Sequence, residues 1–223
     1  MAAGEGSRLR PLTEVWPKPI LPIEGRPVIA TLLRELAAGG LTSVMLVTGY
    51  LAEQVEELVG DGSGFGVEVR TVRQPRPDGS ADAVRTALDG GASTPAIVVV
   101  ADTVYVPGEL ARFAAAFARS SADGAVAVRA EPDPDRPEVG FEPDGRVRRL
   151  FDDSGTPLAS AALWGLGPAV AAQLDDLRGP PYELAEAYQR AVDRGAEVIA
   201  VEIGPTRDLT HSVDLIRENF TYL

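Results

Sequence analysis

A chain of 223 residues, 45% apolar and 6% aromatic, can bury a sizeable core as an ordinary soluble globule, and its apolar runs are strand-sized, too short to span a membrane. The lack of cysteine excludes disulfides, thiolate catalysis and Cys-ligated zinc or iron–sulfur clusters, while one histidine, His211, leaves a Ser-His-Asp hydrolase or multi-histidine metal centre little to rest on. A net charge of −12 argues against nucleic acid or an anionic membrane as partner, so an anionic ligand needs locally placed cations, and any metal must be held by carboxylates. In chain order, Val28 to Ala38 carries helical periodicity and stops at Gly39-Gly40. Ser43 to Val47 is β-rich, Leu51 to Val59 is amphipathic with Glu53, Glu56 and Glu57 outward, Val67 to Val72 is a strand and Ala81 to Leu88 a short helix. Ala96 to Ala101 is apolar at every residue, which predicts a central strand covered on both faces, and Asp102 follows it directly. Next come a helix over Glu109 to Ala118, a strand over Gly124 to Ala130, and a hairpin over Val139 to Leu150 turning at Pro143-Asp144-Gly145. Strands at Ala159 to Leu166 and Glu197 to Ile203 and helices at Ala169 to Leu177, Glu183 to Asp193 and Val213 to Phe220 complete the pattern. The alternation predicts an α/β domain with a mostly parallel, mixed sheet between helical layers, and with no linker or repeat in sight it predicts one domain over 1–223. Met1 leads into a Gly-rich charged stretch without the basic and apolar regions of a secretory signal, which makes cytoplasmic residence the expectation.

The most informative stretch runs Ala2-Ala3-Gly4-Glu5-Gly6-Ser7-Arg8-Leu9-Arg10-Pro11-Leu12-Thr13, then Pro17-Lys18-Pro19 and Leu21-Pro22-Ile23-Glu24-Gly25. Glycines at 4 and 6 let the backbone approach a phosphate chain and aim N–H groups at it, and Arg8 and Lys18 add charge. A dinucleotide-binding fingerprint would need glycine or alanine where Leu9 stands, which disfavours a Rossmann dehydrogenase. Lys18 is the sole lysine among 21 basic residues. A compact ammonium kept in an otherwise arginine-written sequence suits phosphate contact, with chance under an Arg-biased composition as the plain alternative. Asp102, leaving an apolar strand, lies where α/β proteins bind ligands, against the alternative of a strand-end cap. On spacing alone Asp208 is equally a solvated aspartate in a polar loop or a helix N-cap, and Gln74 a surface residue of a Pro-rich loop. His211 reads as a loop or helix-start residue without catalytic duty, and the Glu53, Glu56, Glu57 face as solvated.

The full string resembles the signature of the sugar nucleotidyltransferases, the family of glucose-1-phosphate thymidylyltransferase and UDP-glucose pyrophosphorylase, and the resemblance runs along nearly the whole chain. It implies the Rossmann-like three-layer sandwich of the nucleotide-diphospho-sugar transferases. It also implies a reaction in which an NTP and a sugar 1-phosphate give a nucleotide sugar and pyrophosphate with Mg²⁺. Ala3, Gly4, Gly6 and Ser7 then belong to the nucleotide-binding turn. Gln74 and Gly79, in Gln74-Pro75-Arg76-Pro77-Asp78-Gly79-Ser80-Ala81, look like the base-reading loop. Asp102 looks like the first metal aspartate, and Asp208, in Arg207-Asp208-Leu209-Thr210, like the second. Arg8 would stabilise charge on the leaving pyrophosphate, and Lys18 would hold the α-phosphate or the sugar phosphate. Such chemistry needs positioned anions and neutralised charge rather than histidine or cysteine.

Three departures qualify the match. The family's apolar strand before Ala-Ala-Gly is replaced by Met1, so either a segment lies upstream or a central strand is missing, and the expectation is the former, a first central strand truncated before Met1. Relatives often carry a Glu-Lys pair for the sugar phosphate where this chain reads Leu150-Phe151-Asp152-Asp153, leaving Arg148 or Arg149 as substitutes. A sugar-contacting glycine of relatives aligns with Ala162, which leaves Gly140 as the surviving backbone contact to the sugar. The base reading favours dTTP or UTP; a guanylyl or cytidylyl enzyme and a non-catalytic nucleotide-sugar-binding regulatory homologue are the alternatives. The sugar, the pathway and the oligomeric state stay open, a homo-oligomer among the options.

Overall fold

The computed structural model describes residues 1–130, 138–151, 158–175 and 177–220. It opens with β1 (Pro22–Ile23), β2 (Arg26–Pro27), α1 (Val28–Ala38), β3 (Ser43–Thr48), α2 (Ala52–Val59), β4 (Glu68–Arg73) and α3 (Ser80–Asp89). It continues with β5 (Ala96–Val99), β6 (Thr103–Tyr105), α4 (Glu109–Arg119), β7 (Gly124–Arg129), β8 (Gly140–Phe141), β9 (Val147–Arg149) and β10 (Ala159–Leu166). The last elements are α5 (Pro168–Ala171), α6 (Leu184–Asp193), β11 (Val198–Glu202), β12 (Thr206–Asp208) and α7 (Ser212–Asn219). The chain groups into two compact units, one of Met1–Pro77, Val100–Ala111 and Thr206–Leu223, the other of Asp78–Val99 and Arg112–Pro205.

In the first unit, α1 buries Val28, Ile29, Leu32, Leu33 and Leu36, and Gly39 and Gly40 end it by donating to Glu35 O and Ala37 O. Gly40 has φ +74°, a left-handed stop that glycine adopts without steric cost. Strands β3 and β4 pair in parallel from Ser43↔Glu68 to Thr48↔Arg73, and α2 supplies the crossover that parallel strands require. Residues 1–3 add an extended piece: Ala2 bridges Thr48 in parallel and donates to Val47 O at 2.7 Å, Tyr50 N donates to Ala3 O, and Ala101 N donates to Met1 O. A separate antiparallel pair joins β6 to β12. The outward acidic face of α2 is more than solvated. Arg73 donates to Glu53 and, through Nε and Nη2, to Glu56, whose Oε1 also accepts the hydroxyl of fully buried Thr48 at 2.8 Å. The hydrogen bond from Arg73, opposed by burial, holds the Glu56 carboxyl below its ordinary value.

In the second unit the strand order is β11-β7-β10-β5, with β7 parallel to β11 and β10 antiparallel to both neighbours. The run Ala125 to Val128 is buried throughout, and the Tyr188 ring lies 4.9 Å from that of Trp164 while its hydroxyl donates to Gly165 O at 2.8 Å. The hairpin β8–β9 forms as expected. Two expectations fail here. The Ala96 to Ala101 segment is strand only to Val99, stands at one end of the order and buries Val98 alone within the strand. An all-apolar run of this length does not report how many neighbours it will have. The helix expected over Ala169 to Leu177 is a single turn, α5, after which Gln173 and Leu174 donate three residues back to Val170 and Ala171.

Candidate active site

The Gly4–Arg8 turn is built from local constraints. Gly6 sits at φ +62°, where a Cβ would lie 3.0 Å from Thr13 Cγ2 and 3.3 Å from Lys18 Cβ, so both the backbone and the space require glycine. A Cβ on Gly4, by contrast, would meet nothing within 4 Å, and Ala3 is buried. Ser7 and Arg8 are exposed at the start of a 3₁₀ turn, Ser7–Leu9, whose Leu9 points into the core at 1% exposure. Lys18 lies between buried Pro17 and Pro19, whose fixed φ stiffens the segment that carries it. Its side chain is mostly buried and its Nζ makes an ion pair with Asp102 Oδ2.

The two aspartates expected to cooperate are brought together by register. Strand β12 pairs with β6 so that Asp208 stands opposite Thr103, the residue after Asp102. Residues facing each other in this way sit roughly 4.5–5.5 Å apart at Cα. Each carboxylate is oriented by a threonine nearby in the chain: Thr103 Oγ1 donates to Asp102 Oδ1 at 3.2 Å and Thr210 Oγ1 to Asp208 Oδ1 at 2.9 Å. The polar loop expected around Asp208 is instead a strand followed by fully buried Leu209, because its backbone pairs with β6, a partner remote in sequence. Among the described residues no group of three or more His, Cys, Asp or Glu side chains could hold a metal. Two hard carboxylates without a closed cage fit an ion that keeps part of its shell for water and phosphate.

Gln74 is 5% exposed rather than a surface residue, and its backbone N–H donates to Thr48 O at 2.8 Å. Gly79 lies in the second unit at φ +113°, and a Cβ there would fall 2.3 Å from Tyr182 O, since Tyr182 N donates to Asp78 O and Ala81 N to Tyr182 O. Gly79 thus has a packing reason of its own. Gly140 is buried at the start of β8, paired with Arg149. Ala162, where relatives have glycine, has φ +49° at the irregularity between Ser160 and Trp164 of β10. Asp152 and Asp153 lie outside the described residues. His211 caps α7, and its N–H and that of Thr210 donate to Asp214 Oδ2. The sequence reading missed Thr103 and Thr210, although a threonine one or two residues after an acid is a visible signal for such local hydrogen bonds.

A family model described as Nucleotidyl transferase matches residues 1–204. The chain belongs to the nucleotidyl transferase family. It is 31% identical over 234 residues to a glucose-1-phosphate thymidylyltransferase of Streptomyces antibioticus, covering 100% of this chain and 65% of that protein. It is 33% identical over 153 residues to an N-acetylmuramate alpha-1-phosphate uridylyltransferase of Neisseria meningitidis, covering 66% of this chain and 65% of the other. The first of these matches leaves about a third of the relative unmatched: the chain spans about 65% of the length of that curated protein. A Bacillus anthracis crystal structure described as a glucose-1-phosphate thymidylyltransferase in complex with a sucrose superposes with a TM-score of 0.85, 22% identity, and coverage of 98% of this chain and 91% of that one. That likeness shows the fold, the Rossmann-like α/β sandwich of the family. Nucleotidyl transferases of this kind generally use a divalent metal ion. Among the described residues no helix is long and apolar enough to cross a membrane.

Proposed function

We propose that the chain is a cytoplasmic sugar-1-phosphate nucleotidyltransferase that transfers dTMP or UMP from the NTP to a sugar 1-phosphate and releases pyrophosphate. The observation that carries this reading is the meeting of Lys18, Asp102 and the β12 strand bearing Asp208 within the unit that also holds the Gly4–Arg8 turn. A phosphate oxygen of the sugar phosphate attacks the α-phosphorus in line, a new P–O bond forms, and the bond from the α-phosphorus to the pyrophosphate oxygen breaks. The protein's task is to hold anions against one another and to offset the charge that develops. Ala3, Gly4, Gly6 and Ser7 present backbone to the triphosphate, Arg8 faces the departing pyrophosphate, and Lys18 takes the α-phosphate or the incoming sugar phosphate. Asp102 and Asp208 would hold Mg²⁺, which when bound neutralises phosphate charge. Gln74, with Gly79, reads the base, and the backbone of Gly140 meets the sugar.

The test is pyrophosphate release with each of dTTP, UTP, GTP and CTP against a panel of sugar 1-phosphates in Mg²⁺. Release is expected with dTTP or UTP. Measurable NTP binding without release from any pair would replace the enzyme by a nucleotide-sugar-binding regulator.

A further inference from the structure

The side chain of Thr13 lies 1% exposed in the turn Leu12–Glu14 and touches the glycine turn with both of its branches. Its hydroxyl donates to Gly6 O at 2.9 Å, and the same carbonyl accepts Leu9 N, also at 2.9 Å. Its methyl group and the Lys18 stem fill the space that a Cβ on Gly6 would occupy, at 3.0 Å and 3.3 Å. Two consequences follow. The Gly6 carbonyl and the Ser7 N–H share one planar trans peptide and point in opposite directions, so fixing the carbonyl from one side aims the N–H to the other. The Lys18 stem is packed against that same turn, so the ammonium arm starts beside the N–H that the carbonyl aims.

We propose that Thr13 is a positioning residue for polyphosphate binding: its hydroxyl, by holding the Gly6 carbonyl, orients the Ser7 N–H. The inference rests on the nucleotidyltransferase reading above. It separates the two branches of the side chain, because Thr13→Val removes only the hydrogen bond and Thr13→Ser only the methyl.

Calorimetric binding of dTTP and of inorganic tripolyphosphate, with melting temperatures and a kcat against KM comparison, tests it. Thr13→Val is expected to weaken both ligands about threefold to tenfold, since the Ser7 N–H is no longer held in its binding direction and must be ordered when the ligand binds. That loss should appear in KM with melting lowered by only about 2–4 °C for the missing internal bond, while Thr13→Ser binds within about twofold of the parent. Unaltered binding by Thr13→Val overturns the proposal, as does an equal loss in both variants that tracks a fall in melting temperature, which is what a purely structural threonine gives. If the parent protein binds neither ligand, the nucleotidyltransferase reading itself fails. If the parent binds both and Thr13→Val matches it, only the role of Thr13 falls.

Discussion

Replacing Lys18 with methionine should make the protein bind a divalent cation more tightly while destroying turnover. In the free protein the Lys18 ammonium is paired with Asp102, with side-chain exposures of 18% and 26%, so an ion that takes Asp102 as a ligand must displace or adjoin a positive charge. Two unit charges about 4 Å apart interact by roughly 4 kcal/mol at an effective dielectric constant of about 20. Partial solvent access and the cost of desolvating the carboxylate cut this to a net penalty of about 1–2 kcal/mol. Methionine keeps an unbranched stem where Lys18 packs near Gly6 and removes the charge, so the affinity for Mn²⁺ without nucleotide should rise about 5–30-fold. Electron paramagnetic resonance of free Mn²⁺ measures this directly, with Asp102→Asn as the control that removes the ligand. Equal or weaker Mn²⁺ binding by Lys18→Met, with Asp102→Asn still abolishing it, would refute the competition between ammonium and metal. Undiminished binding by Asp102→Asn would refute Asp102 as a ligand.

Two stability predictions follow from backbone and charge. Ala162 holds φ +49°, a conformation that costs a non-glycine residue about 1–2 kcal/mol. Ala162→Gly relieves it against the extra freedom glycine gives the unfolded chain, for a net gain of about 0.5 kcal/mol and a melting temperature roughly 1–2 °C higher. Ala162→Val, branched at Cβ, should lower melting by more than that, and the opposite ranking by calorimetry would contradict the strain. The hydrogen bond from Arg73 holds the Glu56 carboxyl below the usual carboxylate range. A folded value below the unfolded one means that the pair's stabilisation is complete above about pH 5 and disappears as pH falls through the folded value. The stability difference between the parent and Glu56→Gln, measured in urea, should therefore be level at neutral pH and shrink below about pH 4.5. A constant difference down to pH 3 would sink that assignment.

Where the sequence carries its own punctuation, structure was legible. The helix Val28–Ala38 is read to the residue because six inward apolar side chains recur at helical spacing before a double glycine. The hairpin turn at Pro143-Asp144-Gly145 is equally local. What escaped depends on partners remote in sequence: the end position of β5, the strand at Asp208, and Glu56 drawn into a network by Arg73 of β4. In the site, Lys18 stands out by composition and Asp102 by its place after an apolar strand, whereas Asp208 was visible only through family resemblance. Its neighbour across the sheet, Thr103, is set by a register that no local pattern encodes. Thr13 gave no signal because a buried threonine in a short turn looks like any other turn residue.

The first unit solves a problem that its sequence order poses, since the candidate groups sit on segments far apart in the chain. One core cluster, Leu9, Leu21, Ile23, Val28 and Leu209, with Val104 and Leu215 packed against it, joins them. Arg8 directly precedes Leu9, Lys18 stands three residues before Leu21, Asp208 directly precedes Leu209, and Asp102 stands two residues before Val104. Arg8, Lys18 and Asp208 are therefore tethered within three residues to a buried side chain that loses roughly 1.5–3 kcal/mol if it leaves the core, and Asp102 to the partly buried Val104. Close packing lets such anchors shift little, so the polar ends above them inherit that rigidity. Local hydrogen bonds then make the finer adjustment: Thr13 on the glycine turn, Thr103 on Asp102 and Thr210 on Asp208. A group that must meet a phosphate within a fraction of an ångström is thus positioned in two stages, an apolar anchor that fixes the backbone and a hydroxyl that fixes the charge or the peptide plane. The −12 net charge elsewhere is no obstacle to this, because the cations that matter are held by the core rather than gathered by the field of the whole surface.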